Sequence, residues 1–268
     1  MSASNGIYSN SAIPMGRPRF LGEVVKSVSG EHSDWHSHDF GQLISSTRGS
    51  MYVGTAHRVL LLSPAMAIWI PPDAEHWMRT GLNNEMLYVD VNREEAKQLN
   101  SDCHILAMTP LLSALMHATL PTQAAARTSE HTDALHRLLR CELVAGKDVA
   151  LSVVMPSDKR IRNFAQTALE NPAPVESVDS WLINAAASRK TIERLFIAET
   201  GMTPARWLRH VRILHAVSQI SAGQKISSVA FDMGYDSTSA FSYMFRKTLG
   251  VTPRSFLPNT AVLRSTAE

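Results

Sequence analysis

The sequence predicts an α+β protein: a small β-barrel or sandwich first, then an all-α domain in which two helix–turn–helix pairs are joined by one long helix. Three observations carry this prediction. Residues 21–92 break into seven short runs rich in Val, Ile, Tyr and Trp, separated by Gly, Pro, Asp or Asn, which is the texture of a sandwich or barrel. After Arg93 the apolar spacing changes from every second residue to every third and fourth, as on helices. Between residues 177 and 250 the plan of short helix, tight turn and second helix occurs twice.

The seven strand runs are "LGEVVKSV", "GQLISST", "GSMYVGT", "HRVLLLS", "AMAIWIP", "HWMRTG" and "EMLYVDV". They place a strand domain over residues 1–100, with a small, polar start. "REEAKQL" then has helical spacing. "TPLLSALMHATL" follows, with Thr109 as its cap and Pro110 at the first helical position. In "TDALHRLLRCELV", Leu135, Leu138, Leu139 and Leu143 form an apolar stripe that packs either on its own domain or on a partner subunit. Residues 101–155 are therefore expected to be a helical dimerisation or linker segment, with "VMPSDKR" leading into the second domain. Residues 156–258 form that domain, and 259–268 a loose tail.

Length and composition agree with this division. The chain has 268 residues, room for about two domains. Its hydrophobic fraction of 44% suffices for packed cores and excludes wholesale disorder. Charge is uneven. Residues 1–155 carry 12 Lys and Arg against 15 Asp and Glu, and nine of the 11 histidines. Residues 156–258 carry 13 against eight, a basic excess that hints at nucleic acid. Two widely spaced cysteines, Cys103 and Cys141, do not make a disulfide framework and fit a reducing compartment. "MSASNGIYSN" lacks the basic head and apolar core of a signal peptide. The longest apolar run, "VLLLSPAMAIWIPP", is too short and too broken by proline to span a membrane. A soluble cytoplasmic protein is expected.

In the first helix pair, "SVDSWLINAAASRKTIERLFIAETG" (177–201), a helix through Trp181 and Leu182 precedes a turn, and Ser188 caps the second helix. Ile192, Leu195 and Phe196 face inward there, leaving Arg189, Lys190, Glu193 and Arg194 outside. In the second pair, "ISSVAFDMGYDSTSAFSYMFRKTLG" (226–250), Ile226, Val229 and Ala230 form the inner face of a short helix. Gly234 supplies the turn, and Asp236 or Ser237 caps the next helix. Phe241 and Phe245 then point inward, and Ser239, Ser242, Tyr243, Arg246 and Lys247 outward. Thr203 and Pro204 open the connecting helix "TPARWLRHVRILHAVSQI", with Trp207, Val211 and Leu214 on its apolar face. Its 18 residues make a rod of about 27 Å. Successive major grooves on one face of B-DNA repeat about every 34 Å, so two readers on such a rod suit adjacent grooves.

These residues resemble the DNA-binding domain of AraC-type transcriptional regulators. The likeness covers about 100 residues. It is carried by Phe196 and Gly201-x-x-Pro204 in the first unit. In the second it is carried by Gly234-Tyr235-x-Ser237, Phe241, Phe245-Arg246 and Gly250-Val251-Thr252-Pro253. "AAAS" (185–188) departs from the glycine the family usually has in the first turn. The resemblance implies base-facing positions at Lys190, Glu193 and Arg194, and at Thr238, Ser239, Ser242 and Tyr243. Arg194 can pair bidentately with guanine and Glu193 can accept from cytosine, whereas small hydroxyls and Tyr243 make softer contacts. Arg189, Arg246 and Lys247 are expected on phosphates.

The first half resembles the cupins, small β-barrels with a two-part signature. "DWHSHDFGQL" gives His36-x-His38-x-x-x-Gln42, with Gly49 following, and "LSPAMAIWIPPDAEHW" ends at His76. Gln42 stands where the usual carboxylate would be. A cupin ahead of an AraC-type domain resembles a subgroup of these regulators in which the barrel is the sensor, so the 1–100 region reads as a cupin-like sensor domain. The expected effector pocket comprises His36, His38, Gln42 and His76 with Trp35 and Trp69, and Trp35, Trp69 and Trp77 wall either the pocket or the core. Three imidazoles and a Gln oxygen could also hold a divalent ion such as Zn, Fe, Mn or Ni at His36, His38, Gln42 and His76, although neutral Gln lowers its affinity. Alternatively, they are hydrogen-bonded pocket residues meeting an anionic or polar effector, or purely structural. His32, His57, His104, His117, His131 and His136 show no ligand spacing, and Asp39, Asp73 and Glu75 read as turn or rim residues.

The leading expectation is a transcriptional regulator, not an enzyme, that binds promoter DNA in answer to a small molecule or metal, expected to be a homodimer and without a membrane association. The alternative is a cupin metalloenzyme, an oxygenase or isomerase, carrying a DNA-binding domain. A third reading is a scaffold whose barrel only dimerises.

Overall fold

A computed structural model describes residues 19–27, 31–64, 66–81, 84–124, 127–146, 151–170 and 187–257. The expected first helix of the first helix–turn–helix unit, with Trp181 and Leu182, lies outside them, as does the tail. The chain divides into two compact units, one drawn from residues 1–55 and 62–150, the other from residues 56–61 and 151–268.

The first unit is built on antiparallel strands: β1 (Phe20–Ser27), β2 (His32–His36), β3 (Gly41–Arg48), β4 (Met51–Gly54), β6 (Met66–Ile70), β7 (His76–Thr80), β8 (Asn84–Val91) and β9 (His104–Ala107). Five of them form a sheet in the order β1-β8-β3-β6-β9, and β7 pairs with β4 on one side and β2 on the other. The sheet's alternation sorts side chains. Leu43, Ala67, Trp69, Leu87, Val89 and Val91 share a core with helix residues. Gln42, Ile68, Ile70, Tyr88 and Asp90, next to them in sequence, therefore take the opposite face. Leu43 is registered with both Trp69 and Val89, and Gln42 with Ile70 and Asp90.

Helices α1 (Arg93–Ala96), α2 (Pro110–Ala118), α3 (Pro121–Ala124) and α4 (Ser129–Ala145) follow β8. Thr109 and Thr128 cap α2 and α4 by accepting from Leu112 N and His131 N. Leu112, Leu115 and Met116 of α2 and Leu139 and Leu143 of α4 enter the sheet's core. The leucine stripe therefore serves its own domain, apart from Leu138, which stays 51% exposed. Residues 104–107 and 152–154, within the stretch expected to be helical, are strands. Three or four residues carry too little periodicity to announce themselves, and pairing with β6 and with residues 58–60 makes them strands. Gly41 is required by close approach: a Cβ there would lie 2.2 Å from Cη2 of Trp69.

In the second unit, β5 (Arg58–Leu62) pairs with β10 (Ser152–Val154). Helices α5 (Lys159–Glu170), α6 (Arg189–Thr200), α7 (Pro204–Ser221), α8 (Ile226–Asp232) and α9 (Thr238–Leu249) follow, with a 3-10 turn over Pro253–Phe256. Phe164, Phe196 and Trp207 join α5, α6 and α7 through ring contacts of 5.8–6.3 Å. The Trp207 indole N–H donates to the carbonyl of Val154 at 2.7 Å, which ties β10 to α7. Tyr235, Phe241, Phe245 and Phe256 form the corresponding aromatic chain around α9. Among the described residues no helix is long and apolar enough to cross a membrane.

Candidate effector pocket and nucleic-acid interface

The histidines come together, although not by strand alternation. β2 ends at His36, directly opposite His76 on β7, and His38 lies in the loop that follows. The three rings approach within 4.3 Å (His36–His76), 5.1 Å (His38–His76) and 6.3 Å (His36–His38), centroid to centroid. The loop is pinned from outside. Asp73 N donates to the carbonyl of His38 at 2.8 Å, from a backbone held at φ 63°. The Asp73 carboxylate takes two hydrogen bonds from Arg93, at 2.7 and 2.8 Å, and Arg93 Nε donates to the carbonyl of Asp39. This pairing holds the Asp73 carboxyl below its ordinary range. Phe40 stacks on the His38 ring at 4.1 Å and 13°.

Each imidazole is oriented by its own backbone. Nδ1 of His36, His38 and His76 lies 2.8, 2.6 and 2.8 Å from the carbonyl oxygens of Asp34, Phe40 and Ala74. A carbonyl oxygen only accepts, so Nδ1 carries the proton and Nε2 of the neutral ring is a bare lone pair. Nε2 of His38 and His76 are buried without a partner. Burial pushes the His76 pKa down to about 4 and lowers that of His38, against the opposing pull of the Phe40 carbonyl and the Asp90 charge.

Gln42 is buried on β3. Its amide nitrogen donates to Asp90 Oδ1 at 3.1 Å, and its Oε1 is buried without a partner. The negative charge missing at Gln42 is thus supplied one strand away. Asp90 went unnoticed in the sequence because only the β3–β8 register brings it to Gln42. The Asp73–Arg93 clamp and the stacked Phe40 were equally invisible. The placement of Trp69 in the pocket needs correction. Trp69 lies on the other face of the sheet from Gln42, inside the helix-facing core, with its indole N–H bound to the carbonyl of Asn100. Trp35 is 51% exposed.

As a metal centre the cluster fits only in part. Unpaired imidazole nitrogens and an amide oxygen are the right donor types. Yet among the described residues no three His, Cys, Asp or Glu side chains are placed to hold an ion together.

The expected DNA-facing residues lie on two capped helices. Ser188 accepts from Thr191 N at the start of α6, and Ser237 from Ala240 N at the start of α9. Ile192 and Phe196 on α6, and Phe241 and Phe245 on α9, are buried. Arg189, Lys190 and Arg194 are exposed, as are Ser239, Tyr243, Arg246 and Lys247, while Glu193, Thr238 and Ser242 are half-buried. Tyr243 stands 72% exposed, an aromatic face left largely uncovered by the described residues. Glu193 accepts from Arg189 Nε at 3.1 Å, one helical turn away. To meet a base, its carboxylate must therefore share or release that arginine. Gly234, between α8 and α9, sits at φ 80°, where a side chain would be strained. Replacing Ser237 with Ala is expected to cost about 1 kcal/mol through the lost cap and to fray the first turn of α9, read as faster amide exchange at Ser239 and Ala240.

Comparison with known proteins matches this layout. Residues 26–151 match the AraC-like ligand binding domain, and residues 183–259 a helix-turn-helix domain. The chain is 27% identical over 222 residues to the HTH-type transcriptional regulator NimR of Escherichia coli, covering 83% of this chain and 81% of that one. It is 25% identical over 236 residues to the probable transcriptional regulator LumQ of Photobacterium leiognathi, covering 83% and 91%. ToxT from Vibrio cholerae aligns over 90% of this chain and all of its own at 12% identity and a TM-score of 0.38, too distant to bear on the site. Fold and matches together define a protein with a ligand-binding domain ahead of a DNA-binding helix-turn-helix domain. In both domains the chain is similar to AraC-type transcriptional regulators.

Proposed function

We propose that this protein is an effector-responsive regulator that binds promoter DNA through the outer faces of α6 and α9 and senses a small molecule in its N-terminal domain. The carrying observation is the pair of capped helices, each with apolar side chains buried on one side and basic or hydroxyl side chains exposed on the other, joined by the continuous helix α7. Arg194 and Lys190 read bases from α6. Thr238, Ser239, Ser242 and Tyr243 make softer contacts from α9, and Arg189, Arg246 and Lys247 hold phosphates. The work is done in the cytoplasm, where promoter DNA is reached. The effector needs only to bind one arrangement of the protein better than another for DNA affinity to change.

The test starts from duplexes that the wild-type protein selects from a random pool. Arg194→Ala is expected to weaken binding by about 1–3 kcal/mol and to relax one base preference. An unchanged affinity and footprint would remove Arg194 from the interface. Arg189→Ala releases Glu193 from its ion pair, so it should weaken binding to all selected duplexes while sharpening any cytosine preference at the Glu193 position. Uniform binding with no change in base preference would place Glu193 away from the bases.

A further inference from the structure

We propose that the imidazole cluster of the N-terminal domain is built for a small organic hydrogen-bond donor, neutral or cationic, in preference to an anion or a metal ion, and that Asp90 sets this preference by fixing the amide of Gln42. The proposal rests on the ligand-sensing reading above and specifies the chemistry of its ligand.

The polarity of the site follows from which atoms are already occupied. The protons of His36, His38 and His76 are committed to backbone carbonyls through Nδ1. What His38 and His76 have left, at buried Nε2 atoms on rings 5.1 Å apart, are lone pairs. An amide side chain could present either end to a ligand, but the Asp90 carboxylate accepts only. Its bond to Gln42 Nε2 consumes the donor end and leaves Oε1 buried and unmet. Two imidazole nitrogens and one amide oxygen are thus three buried acceptors that the described chain leaves without a donor. The phenyl ring of Phe40 stacked on His38, and the Asp73 N–H on the His38 carbonyl, keep the set from rotating to satisfy itself.

Each buried acceptor left without a partner is unfavourable, and a ligand bringing N–H or O–H groups removes that penalty. A carboxylate or phosphate would set its own lone pairs against these and its charge against Asp90, which stands close enough to His38 to be felt there. A metal ion would accept the lone pairs, but the three-residue placement it needs is not formed among the described residues.

The experiment uses the full chain with 15N-labelled histidine at pH 7.5. Two-bond proton–nitrogen spectra should show three rings with protonated Nδ1 and pyridine-like Nε2. Ethanolamine, carrying N–H and O–H donors, should shift Nε2 of His38 and His76 saturably, and acetate should not. Zn2+ should bind at least tenfold more weakly than to Gln42→Glu, which restores a carboxylate. Asp90→Asn, which frees the amide to turn, should lower the ethanolamine preference over acetate at least tenfold. A protonated Nε2 on His38 or His76, acetate binding in preference to ethanolamine, no saturable shift with ethanolamine, or Zn2+ binding as tight as to Gln42→Glu would each overturn the proposal. DNA affinity of the same samples is read separately. If it holds while the probes fail, only the ligand class is lost. If it is absent, the regulator reading falls too.

Discussion

Trp207→Ala is expected to destabilise the second unit by about 3–5 kcal/mol and to abolish specific DNA binding. Trp207 is fully buried and touches both Phe164 of α5 and Phe196 of α6. Its removal leaves a cavity under the inward side of α6, so the outward residues Lys190 and Arg194 lose a fixed seat. The variant also strands the carbonyl of Val154, which loses its bond from the indole N–H. Trp207→Phe separates the two effects: it keeps most of the ring volume and costs only the unmet carbonyl, about 1–3 kcal/mol. Because the chain forms two units, a single global unfolding curve would mix them. Amide exchange along α7 reports the right one. Wild-type exchange in α7 together with wild-type DNA affinity in Trp207→Ala would show that this contact does not support the interface.

Acid is expected to unfold the first unit from the histidine cluster outward. His76 titrates at about 4 when folded because burial disfavours its charged form, whereas an unfolded histidine titrates near 6.5. Below about 6.5 the unfolded chain binds a proton that the folded one does not, so stability contributed at neutral pH falls as pH drops from about 6.5 towards 4. The loss at that site is on the order of 3 kcal/mol. His38, also lowered by burial, adds in the same direction. His76→Gln has no proton to bind, so its stability should be lower at pH 7.5 yet flatter between pH 6.5 and 4. A wild-type profile that stays flat across this window would show that His76 is not held neutral by burial.

The helical half was legible because its signals are local. A cap, a first-position proline, a turn glycine and apolar residues three and four apart all lie within a dozen positions of one another. Ser188, Thr203–Pro204, Gly234 and Ser237 occupy the places their chemistry requires. Leu195 and Ile226 show the limit of such reading: periodicity places them inward, and they are only half-buried at the edges of their helix faces. Short strands escaped for the opposite reason. His104–Ala107 and Ser152–Val154 are strands because β6 and β5 offer them hydrogen bonds, and nothing within four residues encodes a partner 35 to 41 or 92 to 96 residues away.

The histidine site divides along the same line. By itself the sequence determined that His36, His38 and His76 belong together, since residue type and the strand signature are written in order along the chain. It also determined the two capped helices and the sign of the charge on each half. Only the tertiary structure decided what the histidines present. Chain pairing, not spacing, brings Asp90 to Gln42, turns Trp69 to the far face of the sheet, and clamps the His38 loop with Asp73 and Arg93. Whether a side chain offers a proton or a lone pair depends on which neighbours have already bonded it, and those neighbours are set by folding.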